Sequence, residues 1–355
     1  MRHTKHIILA AAFAAVLALA SCDRRPLWYE YGPLAGIDLV PNWEKAGGVP
    51  DRCTTFIYDE NGRFVTSINS TKTDVIHFEL PVGSYRAATV TYSEDNYQAV
   101  EFIEKETFPR FRVRSIDDFT EWTVDGAKKA IGREPEWIAV GFTDVFKITT
   151  DDVETSLIPF EEWRDGTLNE HSPGYEISTT RTINEDIYNL VSDLEVEVWV
   201  DDIRKVHSAR AVMGGMAAGM DIPAEGPLAD TLAVSLERWE PWNEYTYAVG
   251  KLTAHVNCFG RPILNRDFVA EDNPFDLYLS LGNGSVFRYF AKVGHLIVDN
   301  ADETWAFRRK LRLQIGSPED PIILPEMDSE TLGFNVWVDE WVDGGKAIVE
   351  VIGTN

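Results

Sequence analysis

Leu194-Glu195-Val196-Glu197-Val198-Trp199-Val200-Asp201 is the stretch that decides the fold class. Apolar and polar side chains alternate strictly, so an extended chain puts Leu194, Val196, Val198 and Val200 on one face and Glu195, Glu197, Trp199 and Asp201 on the other. A sheet of such strands has one face to bury. The pattern recurs downstream, where Leu277, Leu279 and Leu281 alternate before Asn283-Gly284 and Ser285 to Val293 returns as the hairpin partner. Asn-Gly supplies the positive φ that a tight hairpin turn demands. Leu311 to Ile315, Phe334 to Val338 and Ala347 to Ile352 add strands, the last two separated by a turn around Gly344-Gly345.

Upstream, Cys53 to Tyr58 and Arg63 to Ile68 flank Asp59-Glu60-Asn61-Gly62, a second hairpin. Ile37, Leu39 and Trp43 form an edge or first strand interrupted by Pro41. Val75 to Leu80 leads through Pro81-Val82-Gly83-Ser84-Tyr85 into a strand reaching Tyr92, and strand pattern returns at Trp137 to Thr149. A helix is predicted from Ile116 to about Ile131. Ser115 can cap it, Asp117 and Asp118 suit its positive end, Lys128 and Lys129 its negative end, and Phe119, Trp122, Ala127 and Ala130 form an apolar stripe. Gly126 inside that helix costs about 1 kcal/mol relative to Ala. The acidic, proline-containing stretch 151–174 reads as a boundary. The expectation is a mainly β chain: a lipoprotein signal peptide at 1–21, an N-terminal β-sandwich with a helical insertion at 22–152, a C-terminal β-sandwich at 153–355, and a short helix in the connecting region.

The leader is read from Arg2, His3, Lys5 and His6, an apolar run from Ile7 to Ala20, and the small-residue site Leu19-Ala20-Ser21-Cys22. This arrangement predicts cleavage before Cys22 and lipidation of its sulfur, giving a membrane anchor without a protein span. The chain has 58 acidic against 33 basic residues and a formal charge of −25, which repels nucleic acid and anionic head groups, so neither is expected as a partner. Besides Cys22 only Cys53 and Cys258 remain, too few and too far apart for a disulfide framework. Cys258 alternates with Leu252, Ala254 and Val256, which predicts a buried free thiol.

Six short segments, taken in order, resemble a known family. They are Cys22-Asp23-Arg24-Arg25-Pro26-Leu27-Trp28-Tyr29, Ile37-Asp38-Leu39-Val40-Pro41-Asn42-Trp43, the Asp59 to Gly62 turn, Leu80-Pro81-Val82-Gly83-Ser84-Tyr85, Val212-Met213-Gly214-Gly215-Met216-Ala217-Ala218-Gly219 and Gly333-Phe334-Asn335-Val336-Trp337-Val338-Asp339-Glu340-Trp341. Together they resemble a lipoprotein branch of the Bacteroidetes fimbrillin and minor-fimbrium-anchor superfamily. The resemblance implies a prealbumin-like first sandwich, a second behind it, and a lipid-anchored, surface-exposed part of adhesive fibres in the outer membrane. Fimbrial subunits, host ligands or glycans are the partners it implies. In polymerising members of that superfamily an Arg-specific protease removes a leading strand, and Arg24-Arg25 and Arg110 to Arg114 are the segments here that could serve such an enzyme. Anchor members keep the lipid and are not cut.

Motifs for chemistry are scarce. The sequence holds no His-Glu-x-x-His, Cys-x-x-Cys, Gly-x-Ser-x-Gly or phosphate loop, and no catalytic residue, metal ligand or cofactor is assigned. Asp201-Asp202 and Glu161-Glu162 are formal candidates for a glycosidase pair, set against solvated charge in so acidic a chain. His171 with Glu170 and Asn169 stands against a zinc site for want of further ligands, and Asp299, Asn300, Asp302 and Glu303 lack the central Gly of a calcium loop. Trp239, Trp242, Tyr245 and Tyr247 around Pro241 cannot all face one core. Trp239, Trp242 and Tyr245 are therefore candidate glycan-stacking residues, with core packing and loop anchoring as the other account. Val212 to Gly219 departs from the dinucleotide fingerprint and suits close strand approach.

Overall fold

Alternation at Leu194–Asp201 becomes a strand, Ser192–Val200, whose Leu194, Val196, Val198 and Val200 are completely buried. The computed structural model of the protein describes residues 34–92, 96–124, 126–156, 179–242, 248–264, 266–301 and 309–326. In chain order its elements are β1 (Ala35–Asn42), β2 (Cys53–Asp59), β3 (Phe64–Ser70), β4 (Ile76–Leu80), β5 (Gly83–Thr91), β6 (Val100–Ile103), β7 (Arg112–Ser115), β8 (Asp117–Val124), β9 (Ala127–Gly132), β10 (Ala139–Phe142), β11 (Phe146–Ile148), the helix α1 (Thr150–Ser156) and β12 (Thr179–Asn189). There follow β13 (Ser192–Val200), β14 (Val206–Ala217), β15 (Gly219–Asp221), β16 (Gly226–Pro227), β17 (Thr231–Leu236), β18 (Trp239–Trp242), β19 (Gly250–Cys258), β20 (Pro274–Leu281), β21 (Val286–Lys292), β22 (Val298–Ala301) and β23 (Arg309–Ile315). The predicted strands at Phe334–Val338 and Ala347–Ile352 lie outside the described residues.

Two compact units divide the chain. Of the described residues the smaller holds 34–38, 77–83, 147–156 and 179–182. Within it β1 lies between β12 and β4, so the predicted edge-or-first strand is first in order but interior to its sheet. Pro41 sits next to the last position of β1, where a missing N–H disturbs only the end of the ladder. Thr180 Oγ1 donates to Gly36 O at 3.1 Å, and His77 Nδ1 meets Asp38 Oδ1 at 2.8 Å. Thr149 caps α1 reciprocally: its N and Oγ1 donate to Asp152 Oδ2 at 2.7 and 2.8 Å, and Asp152 N donates back to Thr149 Oγ1. Those bonds hold the Asp152 carboxyl below its ordinary pKa.

The larger unit holds two buried cores. In the first, the sheet order β3-β2-β5-β10-β12 faces the small sheet β16-β15-β7-β6. Between them lie Phe56, Tyr58, Val90, Phe111, Val113, Ile138 and Met220, with the Phe56 and Phe111 rings edge-to-face at 5.5 Å. The hairpin β2–β3 forms where Asn-Gly predicts it, Asp59 N donating to Arg63 O and Gly62 N to Asp59 O. β12 pairs with β10 from Ala139↔Asn189 to Gly141↔Ile187, beyond the expected boundary at 152/153. Arg112 and Arg114 stand in β7, which is hydrogen-bonded on one side to β15 and on the other to β6, so a protease would have to peel that strand from two neighbours.

In the second core, the sheet β21-β20-β14-β17-β9-β8 packs on β18-β19-β13-β23-β22. β13 runs antiparallel to β19 and parallel to β23, aligning Leu194 with Val256 and Leu311. Met213, Met216, Phe275, Leu277, Leu279, Leu252, Val256 and Leu313 complete the interior. Cys258 ends β19 and Cys53 begins β2; both are buried free thiols, and burial pushes both up to about 12. The Gly- and Met-rich stretch joins the cores: Met216 lies in the second, while Ala217 and Met220 lie in the first. Gly215 makes that passage possible. Its φ is +77°, and a Cβ there would meet Asp272 O at 1.8 Å. Asn273 Nδ2 pins the turn by donating to Gly214 O at 2.9 Å, and buried Arg261 donates to Asn273 Oδ1.

The helix predicted at Ile116–Ile131, and with it the helical insertion, is replaced by the hairpin β8–β9. Trp122 and Val124 are buried while Glu121 and Thr123 are exposed, an alternation of extended chain. Val124 pairs with Ala127, so the chain reverses at Gly126, whose φ is +75°. Glycine therefore turns the chain where it was expected to weaken a helix. The short helix of the described chain is α1, at Thr150–Ser156.

Candidate functional site

The outward face of the sheet β18-β19-β13-β23 carries the candidate site. Its rows follow from register. Trp242, Lys251 and Trp199 share one row, Glu240, Thr253, Glu197 and Gln314 the next, and His255, Glu195 and Arg312 the third. The strands place these side chains outward for the same reason that Leu252, Ala254, Val196 and Val198 face the core.

At the aromatic end, the Trp199 and Trp242 rings stand nearly perpendicular, 83° with centroids 6.2 Å apart. Lys251 Nζ lies 5.9 Å from one ring centroid and 5.8 Å from the other, within reach of both π faces. Beneath it Glu197, 3% exposed, accepts hydrogen bonds from Lys251 Nζ and from Arg312 Nη2, the latter at 2.5 Å. Burial works against the Glu197 carboxylate, but the two cations outweigh it and hold its pKa below the ordinary value. Trp199, Glu240, Pro241, Trp242, Lys251 and Thr253 enclose a cleft of about 480 Å³. Trp242 is 47% exposed. The shielded Nε1–H of Trp199 finds no acceptor among the described residues, so packing sets that ring.

The expected aromatics separate. Trp239 is half-buried against the core and donates its Nε1–H to Leu236 O at 2.9 Å, whereas Trp242 stands on the opposite face of β18. Tyr245 and Tyr247 lie outside the described residues, as does Cys22. Sequence reasoning does not single out Trp199, although the alternation in β13 already turns it away from the core. Its pairing with Trp242 depends on register across β19, which no local pattern encodes.

Other candidates are committed elsewhere. Asp202 accepts from Arg204 N, Nε and Nη2, bonds that lower its pKa and close a turn. Asp201 Oδ1 accepts from Leu324 N at 2.9 Å. Glu161-Glu162, His171, Asp302 and Glu303 lie outside the described residues. Among the described residues no three His, Cys, Asp or Glu side chains converge to hold an ion. A second cleft, of about 390 Å³ beside Tyr92, Tyr97 and Trp137, has its polar groups tied up: Glu136 accepts from the Gln98 and Ala99 amides, and Trp137 Nε1 donates to Ala46 O.

A family model described as a domain of unknown function, DUF5119, matches residues 21–236. No curated protein matches the chain in sequence. Among solved structures the fold is similar to that of a candidate adhesin from Bacteroides ovatus, at 14% identity and a TM-score of 0.55, covering 87% of this chain and 98% of that one. More distant similarities are to a candidate polysaccharide-binding protein of Bacteroides thetaiotaomicron, at 11% identity, TM-score 0.43 and coverage of 79% and 89%, and to the fimbrial anchor protein Mfa2 of Porphyromonas gingivalis, at 14%, 0.42, and 79% and 90%. At 14% identity the likeness to the Bacteroides ovatus protein concerns the fold, which is mainly β as the alternation predicts.

Proposed function

Because the chain belongs to the DUF5119 family, whose description carries no activity, we propose its role from fold and residues: a non-catalytic, lipid-anchored display module of the cell envelope, acting in adhesion or as a fimbrial anchor. The fold shared with the Bacteroides ovatus candidate adhesin carries this reading. Leu19-Ala20-Ser21-Cys22 supports it by supplying a lipid attachment point, with outer-membrane placement and surface exposure as the expected address. Fimbrial subunits and host or glycan ligands are the proposed partners.

The test is Cys22→Ala. Wild-type protein takes up labelled palmitate and is shaved from intact cells by added protease. The variant takes up no label, leaves the membrane fraction, and reduces adherence to that of cells lacking the protein. Label persisting on the variant would overturn the anchor, and unchanged adherence the adhesive role.

One observation favours a second reading, glycan binding. An exposed Trp242 beside Trp199 and Lys251 offers an apolar ring face next to polar groups, the combination that sugar rings require. Loss of glycan-array signal in Trp242→Ala is the expected result, and an array silent for wild type would remove this reading.

A further inference from the structure

We propose that the Trp199–Trp242 cleft takes a neutral, hydroxyl-rich glycan and discriminates against uronate-bearing or sulfated chains; this rests on the glycan-binding reading above. A volume of about 480 Å³ falls in the range of small-molecule sites. The exposed Trp242 ring supplies a stacking face for pyranose C–H groups. Around it the Glu240 carboxylate can accept, the Lys251 ammonium can donate, and the Thr253 hydroxyl can do both. Sugar hydroxyls, which also donate and accept, match that mixture.

Charge selects among sugars. Among the described residues Lys251 is the single cation lining the cleft, and it is already bound to Glu197, a buried carboxylate that also holds Arg312. Glu197 already offsets the charge of Lys251, so the remaining N–H donors of that ammonium offer an anionic ligand hydrogen bonds but little net attraction. Glu240 adds a negative charge to the same wall, and the formal charge of −25 over the chain repels anions on approach. A neutral ligand meets neither obstacle.

The experiment titrates the detergent-solubilised full chain by calorimetry and tryptophan fluorescence. Its probes are neutral gluco-, manno-, galacto- and xylo-oligosaccharides, an oligogalacturonate and a heparin fragment of similar length. The expected result is binding of a neutral probe, weakened about tenfold by Trp242→Ala, as loss of one stacking contact implies. Trp242→Phe restores part of it. Glu240→Gln strengthens oligogalacturonate relative to the neutral probe. Oligogalacturonate or heparin binding as tightly as any neutral probe overturns the proposed ligand class and leaves the glycan reading standing. Neutral binding untouched by Trp242→Ala overturns the site. Wild-type protein with intact near-ultraviolet dichroism that binds none of the probes removes the glycan reading together with the proposal.

Discussion

Glu185 lies almost wholly inside the larger unit, 2% exposed, with one oxygen accepting from Thr89 N at 3.2 Å and the other lacking any partner among the described residues. Burial raises its pKa from 4.5 to about 7, against the opposing pull of the Thr89 bond. Between those two values the folded state holds a proton that the unfolded chain has released, so stability falls as pH rises through this window and levels off above it. The loss amounts to about 3 kcal/mol for a shift of this size. Urea denaturation across pH 4 to 8 tests this: Glu185→Gln, which stays neutral, should lack the decline, and equal slopes in both proteins would refute it. No local pattern exposes such a residue, because a Glu amid Thr182, Asn184 and Asp186 reads as solvated charge. Glu197 is the opposite case. Alternation put it outward, but only the cross-strand cations Lys251 and Arg312 explain how it is buried as an anion.

Hairpin β8–β9 shows which elements the sequence conceals. The two hairpins read correctly, β2–β3 and β20–β21, have arms of seven or eight residues and an Asn-Gly turn. In β8–β9 the Asp-Gly pair is itself a hairpin signal, but the arms are mostly polar and charges at both ends imitate a helix dipole, which masks it. Contacts distant in sequence fix the strands: the apolar cluster of Trp122, Val124 and Ile131 with Ala233 and Val212, the ladder between β9 and β17, and the Trp122 Nε1–H bond to Asp276. Likewise the Gly214-Gly215 segment was legible as a place of close approach, but not as the passage between two interiors. There the left-handed φ of Gly215 and the abutting Asp272 carbonyl make a firm expectation. Gly215→Ala should lower unfolding free energy by at least about 2 kcal/mol in urea, since a Cβ adds both backbone strain and a collision. A loss below about 0.5 kcal/mol, the ordinary range for a surface substitution, would contradict it.

On the scale of the whole molecule, 58 carboxylates face 33 cations, so compaction brings like charges together. Adding salt screens that repulsion, and calorimetry should find the melting temperature rising as ionic strength goes from about 0.02 to 0.3 M, with most of the gain by about 0.15 M, where the Debye length is about 8 Å. A flat or falling trend would show that local ion pairs such as Arg288–Asp276 outweigh the global term. The two cores also exchange strands. β8–β9, from the first half of the sequence, extends the sheet of β14 and β20, while β15 and β16, from the second half, extend that of β6 and β7. Backbone thus passes from one interior to the other, like the tongue of a mortise joint, where a flexible linker would have left two beads on a string. Under the anchoring proposed above, with one end held and flowing liquid or a bound surface pulling on the rest, such a joint would spread the load over both cores, where two beads would give way one after the other.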